Sequence, residues 1–170
     1  MVSKTLKLWF SSKECGQILS GVEVVTDEVL KDIKRKSGFT ITRCDIAAFP
    51  KLLESFPSYN GLLYRGVCSD DRLYQQVLAG QSQVETTHYY SCSKSRRYAQ
   101  SFSTRDRILL VIRCSHNFDV SQLSPEREVI LDRHVILSVD DIVYEDNSSD
   151  SLMLDVVDNG FTVVHLRCTL

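Results

Sequence analysis

The chain has 170 residues, 43% of them hydrophobic and 25% charged, and a formal net charge of -2. Those values suit a soluble globular protein large enough for a real core, and one domain over residues 1–170 is expected. They leave no basis for a nucleic-acid binder driven by bulk positive charge.

The opening stretch, MVSKTLKLWFSSKECG, holds only a brief apolar patch, too short for a signal-peptide core. No later segment approaches membrane-spanning length. A protein that acts where it is made, or that a separate machine delivers, is expected. TDEVLKDIKRK predicts a helix, with Thr26 and Asp27 as cap candidates, Val29, Leu30 and Ile33 at helical spacing, and Gly38 as the stop. Its basic run KDIKRK is either a solvated face or a dock for an acidic partner. TRCDIAAFPKLLESF predicts a second helix, which Pro50 can break.

After Tyr59-Asn60-Gly61 the texture changes. GLLYRGV predicts a short apolar strand interrupted by Arg65, and DRLYQQVLAGQ returns to helical spacing. THYYSCS is aromatic and small, hence strand-like. KSRRYAQSF predicts a short helix with Tyr98, Ala99 and Phe102 on one side, and RILLVIRC a buried strand. EREVIL, HVILSVDDIVYE and FTVVHLRCTL complete a strand-rich half, with EDNSSDS, Glu145 to Ser151, as a turn between late strands. Helices first and strands mainly later predict an α+β fold.

Six cysteines (Cys15, Cys44, Cys68, Cys92, Cys114 and Cys168) form no CxxC pair, and several sit in apolar runs. That pattern fits free thiols in a reducing compartment. His88, His116, His134 and His165 lack metal-ligand spacing, so no metal is expected.

Three polar residues interrupt strand-like runs: Arg65 in LLYRGV, Ser91 in HYYSCS and Glu128 in EREVIL. A buried or half-buried charge needs a partner or a task. The stretch SPEREVIL adds Glu126, two residues before Glu128. On a strand the two would share a face, where like charges repel. Either that face is simply wet or it carries a paired-carboxylate site.

Taken in order, these residues resemble the mono-ADP-ribosyltransferases of the Arg–Ser–Glu class. Arginine on an early strand, Ser-x-Ser (Ser91 to Ser93) and Glu-x-Glu (Glu126 to Glu128) follow that pattern. SCSKSRRYAQSF resembles the family's serine strand and following helix, FSTR its Phe-x-x-Arg, and EREVIL its glutamate strand. The resemblance runs from about Leu62 to the C-terminus.

It implies an α+β ADP-ribosyltransferase fold of two small packed sheets with helices on the N-terminal side, and NAD as substrate in the cleft between the sheets. The implied reaction moves ADP-ribose to an arginine of a target protein. Glu128 would hydrogen-bond the ribose and stabilise its developing charge. Glu126 would orient the incoming guanidinium and take its proton. Arg65, with Gly66 beside it, would bind the diphosphate. Ser91 would fix Glu128, with Ser93 supporting the strand. Phe102 would stack on the cationic nicotinamide, and Arg105 would add a phosphate contact.

Two features depart from the family. Cys92 replaces the middle threonine of the serine strand and should face away, with little effect. The loop DVSQLSP before the glutamates has no aromatic residue for meeting the target, a part that Phe118 could take. An NAD glycohydrolase and an inactive NAD- or protein-binding relative are the alternatives. Tyr64-Arg65-Gly66 has no histidine, which sets the polymerase branch aside. A phage enzyme in the bacterial cytoplasm, or an effector delivered into a target cell, fits the expected location.

Overall fold

A computed structural model of the protein describes residues 4–11, 13–21, 25–145 and 160–168. The chain divides into two compact units, one ending at Pro57 and one beginning at Ser58. Among the described residues the first unit is helical throughout: α1 (Lys4–Ser11), α2 (Lys13–Ser20), α3 (Asp27–Ser37) and α4 (Arg43–Leu53). Trp9 of α1 stacks on Phe49 of α4, with ring centroids 5.4 Å apart.

α3 begins and ends where its caps dictate. The Thr26 side chain accepts the Val29 amide, and Gly38 takes the left-handed conformation that lets its amide reach the Lys34 carbonyl. Its basic run is a solvated face, partly neutralised because Arg35 and Lys36 both pair with Asp32. Those two partners, Lys36 foremost, hold the Asp32 carboxyl below its ordinary value.

α4 is not broken at Pro50. A Thr42–Asp45 capping box starts it, and it runs through the proline to Leu53. Pro50 lies close to the end, so the missing amide forfeits a single intrahelical bond while the fixed φ remains helical.

The second unit carries β1 (Leu63–Val67), α5 (Arg72–Leu78), β2 (Gln83–Glu85), β3 (Tyr90–Ser93), α6 (Arg96–Gln100), β4 (Ile108–Arg113), β5 (Asn117–Asp119), β6 (Glu128–Leu131), β7 (Ile136–Glu145) and β8 (Phe161–Cys168). The expected turn at 146–151 lies outside the described residues. β2 and β5, three residues each, were not legible as strands in the sequence.

The strands form one hydrogen-bonded sheet in the order β2-β7-β8-β4-β1-β3-β6-β5. Only β4 and β8 run parallel among its pairs. The two expected sheets are present as two halves of this sheet, joined weakly. β1 pairs with β4 over five residues and β3 with β6 over four, but β1 meets β3 only at Tyr64↔Ser93. Past that pair the ladder parts, and the sheet has a seam.

One face buries Leu63, Val67, Tyr90, Cys92, Leu110, Val129 and Leu131 against Leu73 and Val77 of α5. The other buries Leu109, Val111, Phe161 and Val163 with Ala99 of α6. β4 is therefore apolar on both sides, as its uninterrupted ILLVI run predicts. All six cysteines are free thiols. No described helix is long and apolar enough to cross a membrane.

Candidate active site at the sheet seam

Arg65 sits on β1 one residue past the single seam pair. Its neighbours Tyr64 and Gly66 turn toward α6, while Arg65 turns toward the face shared with Tyr90 and Cys92. From there the guanidinium crosses the seam. Nη1 donates to the Ser91 carbonyl at 2.7 Å, and the group lies 4.9 Å from the centre of the Tyr90 ring. Nη2 reaches Asp71, the N-cap of α5, at 3.5 Å. The side chain stays 26% exposed. A guanidinium has five N–H donors, so those contacts leave donors for an anion. Burial above all, with Arg72 and Arg65 adding to it and Asp71 opposing, pushes the nearby His88 imidazole down to about 4.

Gly66 is required by packing. A Cβ there would lie 2.9 Å from the Ala99 carbonyl carbon and closer still to its oxygen, both backbone atoms of α6. Gly66→Ala is expected to cost about 1–3 kcal/mol through this overpacking, read as a lower urea midpoint.

Strand register decides which serine meets the glutamate. Ser93 is paired directly with Glu128, whereas Ser91 is paired with Ile130 and lies diagonal to Glu128 on the same face. Ser93 is buried and its hydroxyl donates to the Glu126 carbonyl at 3.0 Å. Ser91 is exposed. Ser93 thus has a larger structural part than strand support, and a one-residue-resolution register is what the sequence could not supply. Cys92 faces the opposite way into the core, where burial pushes its thiol up to about 12.

The two glutamates do not share a strand. β6 starts at Glu128, and Arg127 before it has φ 53°, a left-handed conformation that breaks the alternation. Glu128 is only 5% exposed. Glu126 is exposed, in the turn, with its amide bonded to the Ser124 hydroxyl at 3.2 Å. The like charges are therefore separated by environment, one enclosed and one in solvent. The corner is fixed by the Lys94 amide, which donates to the Arg127 carbonyl at 3.1 Å.

Tyr98 and Ala99 of α6, and Phe102 in the turn just past its end, do not form one inward side. Ala99 is buried under β1, while Tyr98 and Phe102, four residues apart, meet edge to face with centroids 5.0 Å apart. Phe102 is 59% exposed. Burial, with the help of the Glu126 carboxylate, pushes the Tyr98 phenol up to about 12. Arg105 is exposed in the turn that follows, a turn anchored by the buried Ser103, whose hydroxyl bonds the Val67 carbonyl at 2.5 Å. Phe118 is not on the loop before the glutamates. It lies half-buried in β5, paired with Ile130 and edge-on to Tyr89.

The structure thus brings Ser93, Glu126 and Glu128 together where β3 pairs with β6, and ties Arg65 to the same strand through the Ser91 carbonyl, from the face opposite the serine side chains. Among the described residues no cluster of histidine, cysteine and carboxylate side chains could hold a metal.

No family model matches the sequence, and no curated protein does either. Solved structures do match in fold. Vis toxin, an ADP-ribosyltransferase from Vibrio splendidus, superposes with a TM-score of 0.62 at 15% identity, over 100% of this chain and 74% of that one. Exoenzyme S from Pseudomonas aeruginosa, solved with human 14-3-3 protein beta and carba-NAD, gives 0.60 at 13% identity, over 97% and 72%. The Salmonella SpvB ATR domain gives 0.57 at 14% identity, over 99% and 100%. The chain has the α+β fold of the bacterial ADP-ribosyltransferase toxins and effectors.

Proposed function

We propose that this protein is a mono-ADP-ribosyltransferase that moves ADP-ribose from NAD to an arginine side chain of a target protein and releases nicotinamide. What supports the reading is a partly exposed guanidinium (Arg65) bonded to the backbone of the serine strand, and beside that strand an enclosed carboxylate (Glu128) and an exposed one (Glu126). The fold supports it, and a Vis structure solved in complex with agmatine, itself an alkylguanidine, matches with a TM-score of 0.51 at 16% identity.

In this reading Arg65 holds the diphosphate, with Arg105 as a second cation, and Phe102 offers its exposed ring to the nicotinamide. The C1′–N bond of NAD breaks with its electron pair leaving on nicotinamide. Positive charge grows on the ribose, as in glycoside hydrolysis. The enclosed Glu128 carboxylate, bonded to a ribose hydroxyl, stabilises that charge, and Ser91 and Ser93 steady its strand. A guanidine nitrogen then bonds to C1′ and its proton passes to Glu126. The target is a protein inside a cell, reached by synthesis there or by delivery.

Labelled NAD incubated with the protein, with and without a cell lysate, tests this. Label on lysate protein supports transfer; free ADP-ribose alone means water is the acceptor and the protein is a glycohydrolase; no turnover contradicts an enzyme. Glu126→Gln sharpens the assignment. Transfer to arginine should fall by roughly 100-fold, the scale of a lost general base, while measurable NAD hydrolysis persists. Equal loss of both activities would remove the separate acceptor role.

A further inference from the structure

Resting on the arginine-acceptor reading, the geometry points to Lys94 as a residue that positions Glu126. It clamps both ends of the loop carrying that glutamate, and so sets how much ADP-ribose goes to arginine and how much to water.

The loop is residues 120–127, between β5 and β6. Lys94 follows the serine strand directly and holds this loop at each end. Its amide donates to the Arg127 carbonyl at 3.1 Å. Its ammonium bonds Asp119, the last residue of β5, at 2.8 Å. Between those anchors the loop is tied to itself. The other Asp119 carboxylate oxygen accepts the Ser121 amide at 3.0 Å, the Val120 carbonyl accepts the Leu123 amide at 2.9 Å, and the Ser124 carbonyl accepts the Arg127 amide at 3.2 Å.

The ion pair differs from an ordinary surface contact, which is worth little. Both side chains are only 16% exposed, and the Lys94 ammonium also lies 4.4 Å from the centre of the Tyr59 ring. Tyr59 is itself fixed to β5. Its amide donates to the Asn117 side-chain oxygen and its carbonyl accepts from the Asn117 side-chain nitrogen, both at 2.8 Å. Removing either charge of the pair would leave the other enclosed and unmatched.

An exposed carboxylate is placed by the backbone that carries it. Glu126 is exposed in this loop, whereas Glu128 belongs to β6 and is held by its ladder to β3. Loosening the clamp should therefore displace Glu126 and leave Glu128 in place. In the proposed reaction, transfer to arginine needs both carboxylates, and hydrolysis needs Glu128 alone.

The test measures transfer to agmatine and NAD hydrolysis in parallel for the full chain, Lys94→Met and Asp119→Asn, together with amide hydrogen exchange in the loop. Each variant should lower the transfer-to-hydrolysis ratio by roughly tenfold, within the hundredfold that a misplaced group can cost, and should speed exchange at the Leu123 and Arg127 amides. Asp119→Asn keeps the side-chain shape and an acceptor for Ser121, so it reads the pair even if Lys94→Met fails to fold. An unchanged ratio or unchanged exchange in Asp119→Asn, with wild type modifying agmatine, overturns the Lys94 assignment alone. Parallel loss of transfer and hydrolysis also overturns it, because a merely structural residue would act on both. A wild type that only hydrolyses NAD overturns the arginine reading, and this assignment falls with it.

Discussion

Glu128→Gln is expected to abolish most NAD turnover, lowering both transfer and hydrolysis by roughly 100-fold or more, the scale of a lost positioned carboxylate. The reasoning starts from where the residue sits. Glu128 opens β6, opposite Ser93, and is 5% exposed. In so enclosed a place a fixed negative charge acts strongly on positive charge developing nearby, because little water screens it. Glutamine keeps the shape and removes the charge. Both activities share the step that breaks the C1′–N bond, so both should fall together, and kcat should carry the loss. Thermal unfolding of the variant separates chemistry from folding: an enzyme that melts like wild type but turns over no NAD has lost its carboxylate, not its structure. Wild-type turnover would take Glu128 out of the reaction.

Arg65→Lys is expected to weaken NAD binding by roughly tenfold to a hundredfold, the value of losing a hydrogen bond to a charged group. The guanidinium does several things at once across the seam. It bonds the Ser91 carbonyl, lies over Tyr90, approaches Asp71 and still presents donors outward. A lysine ammonium is a point charge on a flexible stem and cannot span these partners in one plane. Calorimetry with NAD reads the effect, and an unchanged affinity would remove Arg65 from the site.

What was legible in the sequence is what short-range chemistry controls. Thr26 and Gly38 mark the ends of α3 because a side-chain acceptor and a left-handed residue are needed there. The unbroken ILLVI run announces a strand buried on both faces. The residues proposed for the site stand out in the sequence through their order along the chain. Their mutual geometry was not. That Ser93 and not Ser91 stands opposite Glu128 is a matter of register between strands 35 residues apart in sequence, Ser93 and Glu128. The break between Glu126 and Glu128 depends on a left-handed arginine, which residue type does not announce. Tyr98 looked like part of an apolar helix face. Only the close approach of Ala99 to Gly66 shows which side of α6 is inward, leaving Tyr98 and Phe102 to face outward together. Pro50 misleads for a similar reason: a helix tolerates it near its end, where one lost bond is small beside the packing of Phe49 and Leu53.

The central claim is that Arg65 and Glu128 converge on one NAD molecule at the seam between β1 and β3. A crystal structure with a non-hydrolysable NAD analogue tests it most directly. The account predicts a Glu128 carboxylate oxygen about 2.6–3.2 Å from a hydroxyl of the nicotinamide ribose, with the Arg65 guanidinium turned to the diphosphate. An analogue bound elsewhere, or bound at the seam with its ribose away from Glu128, would contradict it.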